Sequence, residues 1–253
     1  MLGAIIGDIV GSVYEHDVYK DTDFPLFSTR ASYTDDTVLT VAHALLEKAD
    51  YADTFKYFGR KYPAGYGSTF AEWMYSDSRE PYNSYGNGSA MRVSAVGFAF
   101  NSVNDVLLEA ERSAVVTHNH PEGVKGAQAV ALAIYLARMG ASKVDIKTEI
   151  STRFNYDLSR TLEEIRPRYT FEVSCQKSVP ESIIAFLEAD SFENSLRNAV
   201  SLGGDADTMA CIAGGIAQAF YKTIPADIVS QAEALLPPAF LEVIHKFNVR
   251  FAV

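Results

Sequence analysis

The sequence predicts an all-α protein: one compact multi-helix domain, with ten or more helices over residues 1–253. Three observations lead there. Apolar residues recur at helical spacing in one segment after another, and several segments open on a capping residue or a proline, as at Thr34, Pro121, Pro225 and Pro237-Pro238. No sustained period-two run is bounded by hairpin turns, and strands do not alternate with helices. A chain of 253 residues, 48% apolar and 21% charged, is long enough for a sizeable core, and neither a fixed repeat nor a low-complexity linker divides it.

In chain order, Met1 to Tyr14 is small and apolar, with Gly3, Gly7 and Gly11 four residues apart; on a helix these form a groove that admits another backbone. Lys20 to Ser32 is a polar loop. The helix opened by Thr34 carries Val38, Val41, Ala42, Leu45 and Leu46 and ends near Ala49-Asp50. Short helices follow over Asp53 to Lys61 and Thr69 to Tyr75, separated by the glycine-punctuated stretch Tyr62 to Ser68. Ser76 to Gly88 is loop, and Ser89 to Phe100 is a buried helix. The next helix spans Asn104 to Thr117, and Pro121 is well placed as the first residue of another that ends at Gly140. A weaker helix covers Lys143 to Arg153, and Tyr156 to Lys177 is the least regular segment. Helices then run from Ser178 to Ala189 and from Phe192 to Ser201. After Gly203-Gly204 comes Met209 to Tyr221, a helix kept slim on one side by Ala210, Ala213, Gly214 and Ala217. Two helices close the chain.

Net charge of −10 argues against nucleic acid and against an anionic membrane as partners. No run has the length of a membrane span, and the apolar start lacks a basic residue and holds Asp8, unlike a secretory signal. Cys211 falls in a predicted helix and Cys175 in a polar stretch where it could be exposed; two such cysteines make no disulfide framework. A soluble, cytoplasmic protein is the expectation.

Two acidic clusters carry the chemistry. Gly203-Gly204-Asp205-Ala206-Asp207-Thr208 places two carboxylates and a hydroxyl at a helix start, where Asp is a good cap and its charge suits the helix dipole. Alone, the motif reads equally well as a capped core helix. Far upstream, Thr34-Asp35-Asp36-Thr37 repeats the arrangement at the head of another helix. Four carboxylates with hydroxyls and no thiol make a ligand set for a hard cation such as Mg²⁺, Mn²⁺ or Ca²⁺. The His118-x-His120 pair lacks a third nitrogen or thiol for zinc.

These residues, with others in order, resemble the ADP-ribosylglycohydrolase family, the dinitrogenase-reductase-activating glycohydrolase group. The matching segments are Gly7-Asp8-x-x-Gly11-Ser12 with Tyr14-Glu15, Tyr33 to Thr37, Gly65-Tyr66-Gly67, Tyr85 to Arg92, and Gly203 to Thr208. Ala206 departs from the Thr or Ser that many members place between the aspartates, which leaves both carboxylates in place. The resemblance implies an all-helical domain with two Mg²⁺ ions (Mn²⁺ also possible) in a cleft, hydrolysing the bond at C1″ of an ADP-ribosyl group on a protein or small conjugate. It makes Thr34, Asp35, Asp36, Asp205, Asp207 and Thr208 metal ligands, and it puts His118 near the substrate. Glu15 resembles the mobile gate of the branch that cleaves ADP-ribose from serine and O-acetyl-ADP-ribose.

The residues themselves suggest companion roles. Gly65, Gly67 and Ser68 can offer N–H groups and a hydroxyl to a pyrophosphate. In Ser84-Tyr85-Gly86-Asn87, the tyrosine can stack on adenine while glycine admits the ligand closely. Asp35, Asp36 or Glu15 is the proton-transfer group. Two other functions use the same residues: a two-metal phosphohydrolase cutting the pyrophosphate, and a binding module without catalysis.

Overall fold

In the computed structural model, which describes residues 1–45 and 50–252, the chain folds into helices. In order these are α1 (Leu2–Gly11), α2 (Asp35–His43), α3 (Tyr51–Lys61), α4 (Ser68–Tyr75), α5 (Gly88–Met91), α6 (Ser94–Ala99), α7 (Val103–Ala114) and α8 (Pro121–Arg138). There follow α9 (Lys143–Phe154), α10 (Leu162–Ile165), α11 (Cys175–Leu187), α12 (Phe192–Val200), α13 (Ala206–Tyr221), α14 (Ala226–Glu233) and α15 (Pro238–Phe251). Among the described residues the extended pairing amounts to one isolated bridge, Gly86 to Ser174. No described helix is long and apolar enough to cross a membrane.

The three spaced glycines decide the centre of the molecule. Every residue of α1 is buried, and α1 lies antiparallel on α13 with Gly3, Gly7 and Gly11 opposite Gly214, Ala210 and Ala206. A Cβ at Gly7 would lie 2.0 Å from the Ala210 carbonyl oxygen, and one at Gly3 or Gly11 would lie 2.4 Å from the oxygen of Gly214 or Ala206. Real side chains cannot approach so closely, so the two backbones meet only because these positions are bare. α8, α11 and α12 pack around this pair, and α8 has ten buried positions, five of them alanine and two glycine.

Four elements differ from the sequence reading. The expected helix Ser89 to Phe100 is two short ones, because Arg92 and Val93, with ψ of −7° and −4°, open the hydrogen-bond ladder between them. α11 starts at Cys175 rather than Ser178 and carries Pro180 inside it. Proline there removes one bond to the carbonyl of Gln176, an exposed residue whose freed oxygen water can reach. Cys175 is correspondingly buried, not exposed: its thiol donates to the Gly86 carbonyl at 3.0 Å, and burial pushes it up to about 12. Finally, α10 sits within the stretch read as irregular, opened by a Thr161–Glu164 capping box. Leu46 and Ala49, assigned to the helix after Thr34, lie outside the described residues; α2 itself closes at His43.

Candidate active site

Three helix ends meet at one point. Asp8, wholly buried near the end of α1, accepts hydrogen bonds from the Thr34 hydroxyl at 2.7 Å, the Thr34 N–H at 2.9 Å and the Thr37 N–H at 3.0 Å. It thereby satisfies donors at the start of α2 that would otherwise lack partners. Thr34 is the N-cap, its oxygen accepting from the Asp36 N–H at 3.3 Å. From the start of α13, the Thr208 hydroxyl donates to Asp36 at 3.1 Å, and Asp205 accepts from the Asn87 amide at 2.7 Å. Gly203, at φ +65°, makes the turn into this helix start.

Oxygens of Asp8, Asp36 and Asp207 lie within 4.8 Å of one another, and so do oxygens of Glu15, Asp205 and Asp207. Asp207 belongs to both triads. Burial raises every one of these acids, followed for Asp36 and Asp207 by repulsion from their neighbours. Asp8 is pushed to about 6 against the pull of its Thr37 and Thr34 hydrogen bonds. Asp35 goes to about 8, through burial first and then the charge of Asp8. The dipoles of α2 and α13 offset about 1 kcal/mol each of such a cost, too little for this many charges in one place. One oxygen of Asp36 is buried without a partner. Crowded carboxylates, an orphaned oxygen and an all-oxygen donor set fit a hard divalent cation; the clustered residues could hold a metal ion.

The clusters open into a cavity of about 390 Å³, within the ordinary range for small-molecule sites. Its lining combines Glu15, Asp35, Asp36, Asp205, Asp207 and Thr208 with Gly65, Gly67, Ser68, Ser84, Asn87 and His118, and the Asn87–Asp205 bond joins the two groups. A Cβ at Gly65 or Gly67 would meet nothing within 4 Å, so the packing of the protein does not require glycine there. Gly67 is the N-cap of α4 without a side-chain cap bond, which leaves first-turn N–H groups for a ligand at the cavity edge. His118 is 5% exposed, and burial, then the charge of Arg92, holds it well below the usual imidazole range.

Three residues singled out in the sequence stand apart from the cavity wall. Thr34 turns its hydroxyl to Asp8. Gly86 pairs with Ser174 in the isolated bridge. Tyr85 is 53% exposed and packs edge-on to His120 with ring centroids 5.4 Å apart. The aromatic residues that do line the cavity are Phe70, Tyr82 and Phe171, which the sequence did not single out. Asp8 was also missed as a site residue, although a carboxylate inside an otherwise apolar glycine helix was a signal for it.

Residues 1–250 match the profile of the ADP-ribosylglycohydrolase family. The mouse ADP-ribosylhydrolase ARH3 is 29% identical over 87% of this chain and 82% of its own length. The chicken ADP-ribosylhydrolase ARH3 is 30% identical over 87% of this chain and 84% of its own. A solved ADP-ribosylglycohydrolase-related protein complex superposes with a TM-score of 0.68 at 25% identity, over 92% of this chain and 94% of that one. The chain belongs to the ADP-ribosylglycohydrolase family, and it is a glycohydrolase.

Proposed function

We propose that the enzyme hydrolyses the C1″ glycosidic bond of ADP-ribosyl groups, on modified proteins or small ADP-ribose conjugates, with two Mg²⁺ ions for which Mn²⁺ can substitute. The observation that carries this reading is the pair of carboxylate triads joined at Asp207, beside one cavity whose lining also includes the bare glycines Gly65 and Gly67. Similarity to proteins named ADP-ribosylhydrolase supports the class of bond.

In this reading Asp8, Asp36 and Asp207 hold one cation and Glu15, Asp205 and Asp207 the other. Such cations supply positive charge that orients sugar hydroxyls and makes water more acidic. Thr208 fixes Asp36 through its hydroxyl, and Thr34 serves the centre by holding Asp8. The open N–H groups at Gly67 and Ser68 take the pyrophosphate, and Ser84 and Asn87 lie along its path. Cleavage passes through an oxocarbenium-like sugar, whose positive charge the surrounding carboxylates favour. Asp35 lines the cavity but belongs to neither triad, and burial, then the charge of Asp8, raises its carboxyl above the usual carboxylate range. It is therefore placed to protonate the leaving oxygen or nitrogen and to recover that proton from water. Glu15, partly exposed on the segment after α1, is the triad member that can swing away from its cation and so gate the cavity.

A panel of arginine-, serine- and acetyl-linked ADP-ribose substrates, each assayed with Mg²⁺ and with chelator, tests the reading. Intact ADP-ribose formed only with the cation is the expected result. AMP and ribose phosphate would instead assign a phosphohydrolase, and binding without turnover across the panel would assign a non-catalytic module.

A further inference from the structure

Arg92 is a fully buried cation, and no carboxylate among the described residues is bound to it. Its guanidinium stacks on Phe55, the Cζ atom 4.1 Å from the ring centroid, and Nε and Nη1 are buried without partners. Nη2 donates to the Ser113 carbonyl at 3.0 Å and to the Thr117 hydroxyl at 2.9 Å. That hydroxyl in turn lies 2.7 Å from Nδ1 of His118. The backbone holds the arrangement, since the N–H groups of Thr117 and His118 both donate to the Ala114 carbonyl at the end of α7.

Donor arithmetic favours one arrangement of the protons. A guanidinium only donates, so the Thr117 oxygen accepts from Arg92. The hydroxyl has a single proton, and the guanidinium charge on one side directs it to the other, where Nδ1 lies. If Nδ1 carried a hydrogen, the hydroxyl would face two donors and its own proton would turn elsewhere. We infer that Arg92 and Thr117 are positioning residues that lock His118 as the neutral tautomer with its hydrogen on Nε2. Nε2 lies on the side of Gly86 and Gly88: a Cβ at Gly88 would be 3.1 Å from it and one at Gly86 3.7 Å. Among the described residues it has no hydrogen-bond partner, and His118 lines the cavity. The locked tautomer therefore presents an N–H donor, selective for an oxygen of a ribosyl diphosphate over a cationic or donor-only group. This last step rests on the cavity being the ADP-ribose site; the tautomer itself does not.

The Tyr82 phenol also reaches Thr117, and it is the competing acceptor for the threonine proton. The test is long-range ¹H–¹⁵N NMR of the histidine side chains in the intact protein, with His118 assigned by its absence in His118→Gln. The expected spectrum shows an unprotonated Nδ1 and a protonated Nε2. Thr117→Ser keeps that pattern, and Thr117→Val loses it. ADP-ribose affinity in Thr117→Val falls roughly tenfold, the scale of one misdirected hydrogen bond, with Thr117→Ser near wild type. A protonated Nδ1 in the wild type overturns the proposal even if Thr117→Val fails to fold, and so does an unchanged tautomer in Thr117→Val. A correct tautomer with no ADP-ribose binding by the wild type would leave the lock standing and sink the functional reading.

Discussion

The two walls of the cavity are built by opposite means. On the acidic side, side chains project from the ends of α1, α2 and α13, three elements packed so closely that glycine is obligatory between two of them. Asp8, Asp36, Asp205 and Asp207 are all at most 5% exposed. The loop part of the lining comes from loops and the first turn of α4, where Gly65 and Gly67 stand over open space and Phe171 and Val173 are about half exposed (51% and 46%). Charges that must sit within a few ångströms of each other need a scaffold that cannot relax away from the strain. A wall that admits a nucleotide needs the reverse: bare backbone and little packing of its own.

The largest effect should come from the residue common to both triads. Asp207→Asn removes one charge from each. Loss of a partner that only orients a ligand typically costs 10–100-fold, so turnover should fall at least about 100-fold, with the circular dichroism spectrum unchanged. Calorimetry should also show weaker Mg²⁺ binding. Wild-type turnover in this variant would mean that the acidic wall is a capped helix junction and nothing more.

The acidic wall should also make the cation's contribution to stability depend on pH. Asp8 at about 6 and Asp35 at about 8 lie above the ordinary carboxylate value of 3.8. Groups raised in this direction stabilise the fold fully below about pH 4 and lose that contribution as pH climbs through 6 and then 8. In chelator, their ionisation lowers Tm across that window; with Mg²⁺ the Asp8 carboxylate becomes a ligand, the cation's charge offsets that of nearby Asp35, and the loss shrinks. The Mg²⁺-minus-chelator difference in Tm should therefore grow from pH 5 to pH 8.5. Taking the difference cancels remote groups such as His43, which burial holds at about 3 in both conditions. A difference that stays flat across this range would remove the carboxylates as the cation's partners.

One substitution made on both walls sharpens the contrast. At Gly7 an added methyl meets a carbonyl oxygen at 2.0 Å, whereas at Gly65 it meets nothing within 4 Å. Gly7→Ala should cost about 1–3 kcal/mol or more in denaturant unfolding, as overpacking does. Gly65→Ala should stay within about 0.5 kcal/mol and show its effect in KM. Equal losses of stability would mean that the loop wall is as tightly built as the helical one.

The same division explains what could be read from the sequence. The acidic wall was legible because its parts are local patterns: a cap beside paired aspartates at two helix starts, and glycines at helical spacing. Asp8 carried one signal, a carboxylate in an apolar helix, but what it binds depends on α1 passing the start of α2, which spacing within α1 does not show. On the loop wall, Gly65, Gly67, Ser84 and Asn87 were picked out as residue types that favour ligands, and the chain returns them to one cavity. Phe171 was invisible, for it lies in a stretch without periodicity whose pairing with residues 85–87 depends on the fold. Pro180 misled for a related reason: proline marks a helix start only on average, and here an exposed carbonyl one turn back made the interior position tolerable.

The smallest expected effect separates two aromatic residues on the loop wall. The sequence favours Tyr85 as the adenine platform, because it stands among small polar residues and glycines. In the fold its ring packs against His120, and its carbonyl accepts the Cys175 N–H at 2.9 Å, which ties the residue outside the cavity. Phe171 lines the cavity with half its surface free, and its other ring contact is His16, with centroids 6.1 Å apart. Phe171→Ala should then weaken ADP-ribose binding by about 1–3 kcal/mol, the scale of a lost base–aromatic stack. Tyr85→Ala should change it by less than about 0.5 kcal/mol, the ordinary range for a surface substitution. Isothermal titration of ADP-ribose into both variants in Mg²⁺ decides. If the ranking is reversed, Tyr85 leaves His120 when the nucleotide arrives, and the loop wall rearranges around its ligand while the acidic wall stays fixed.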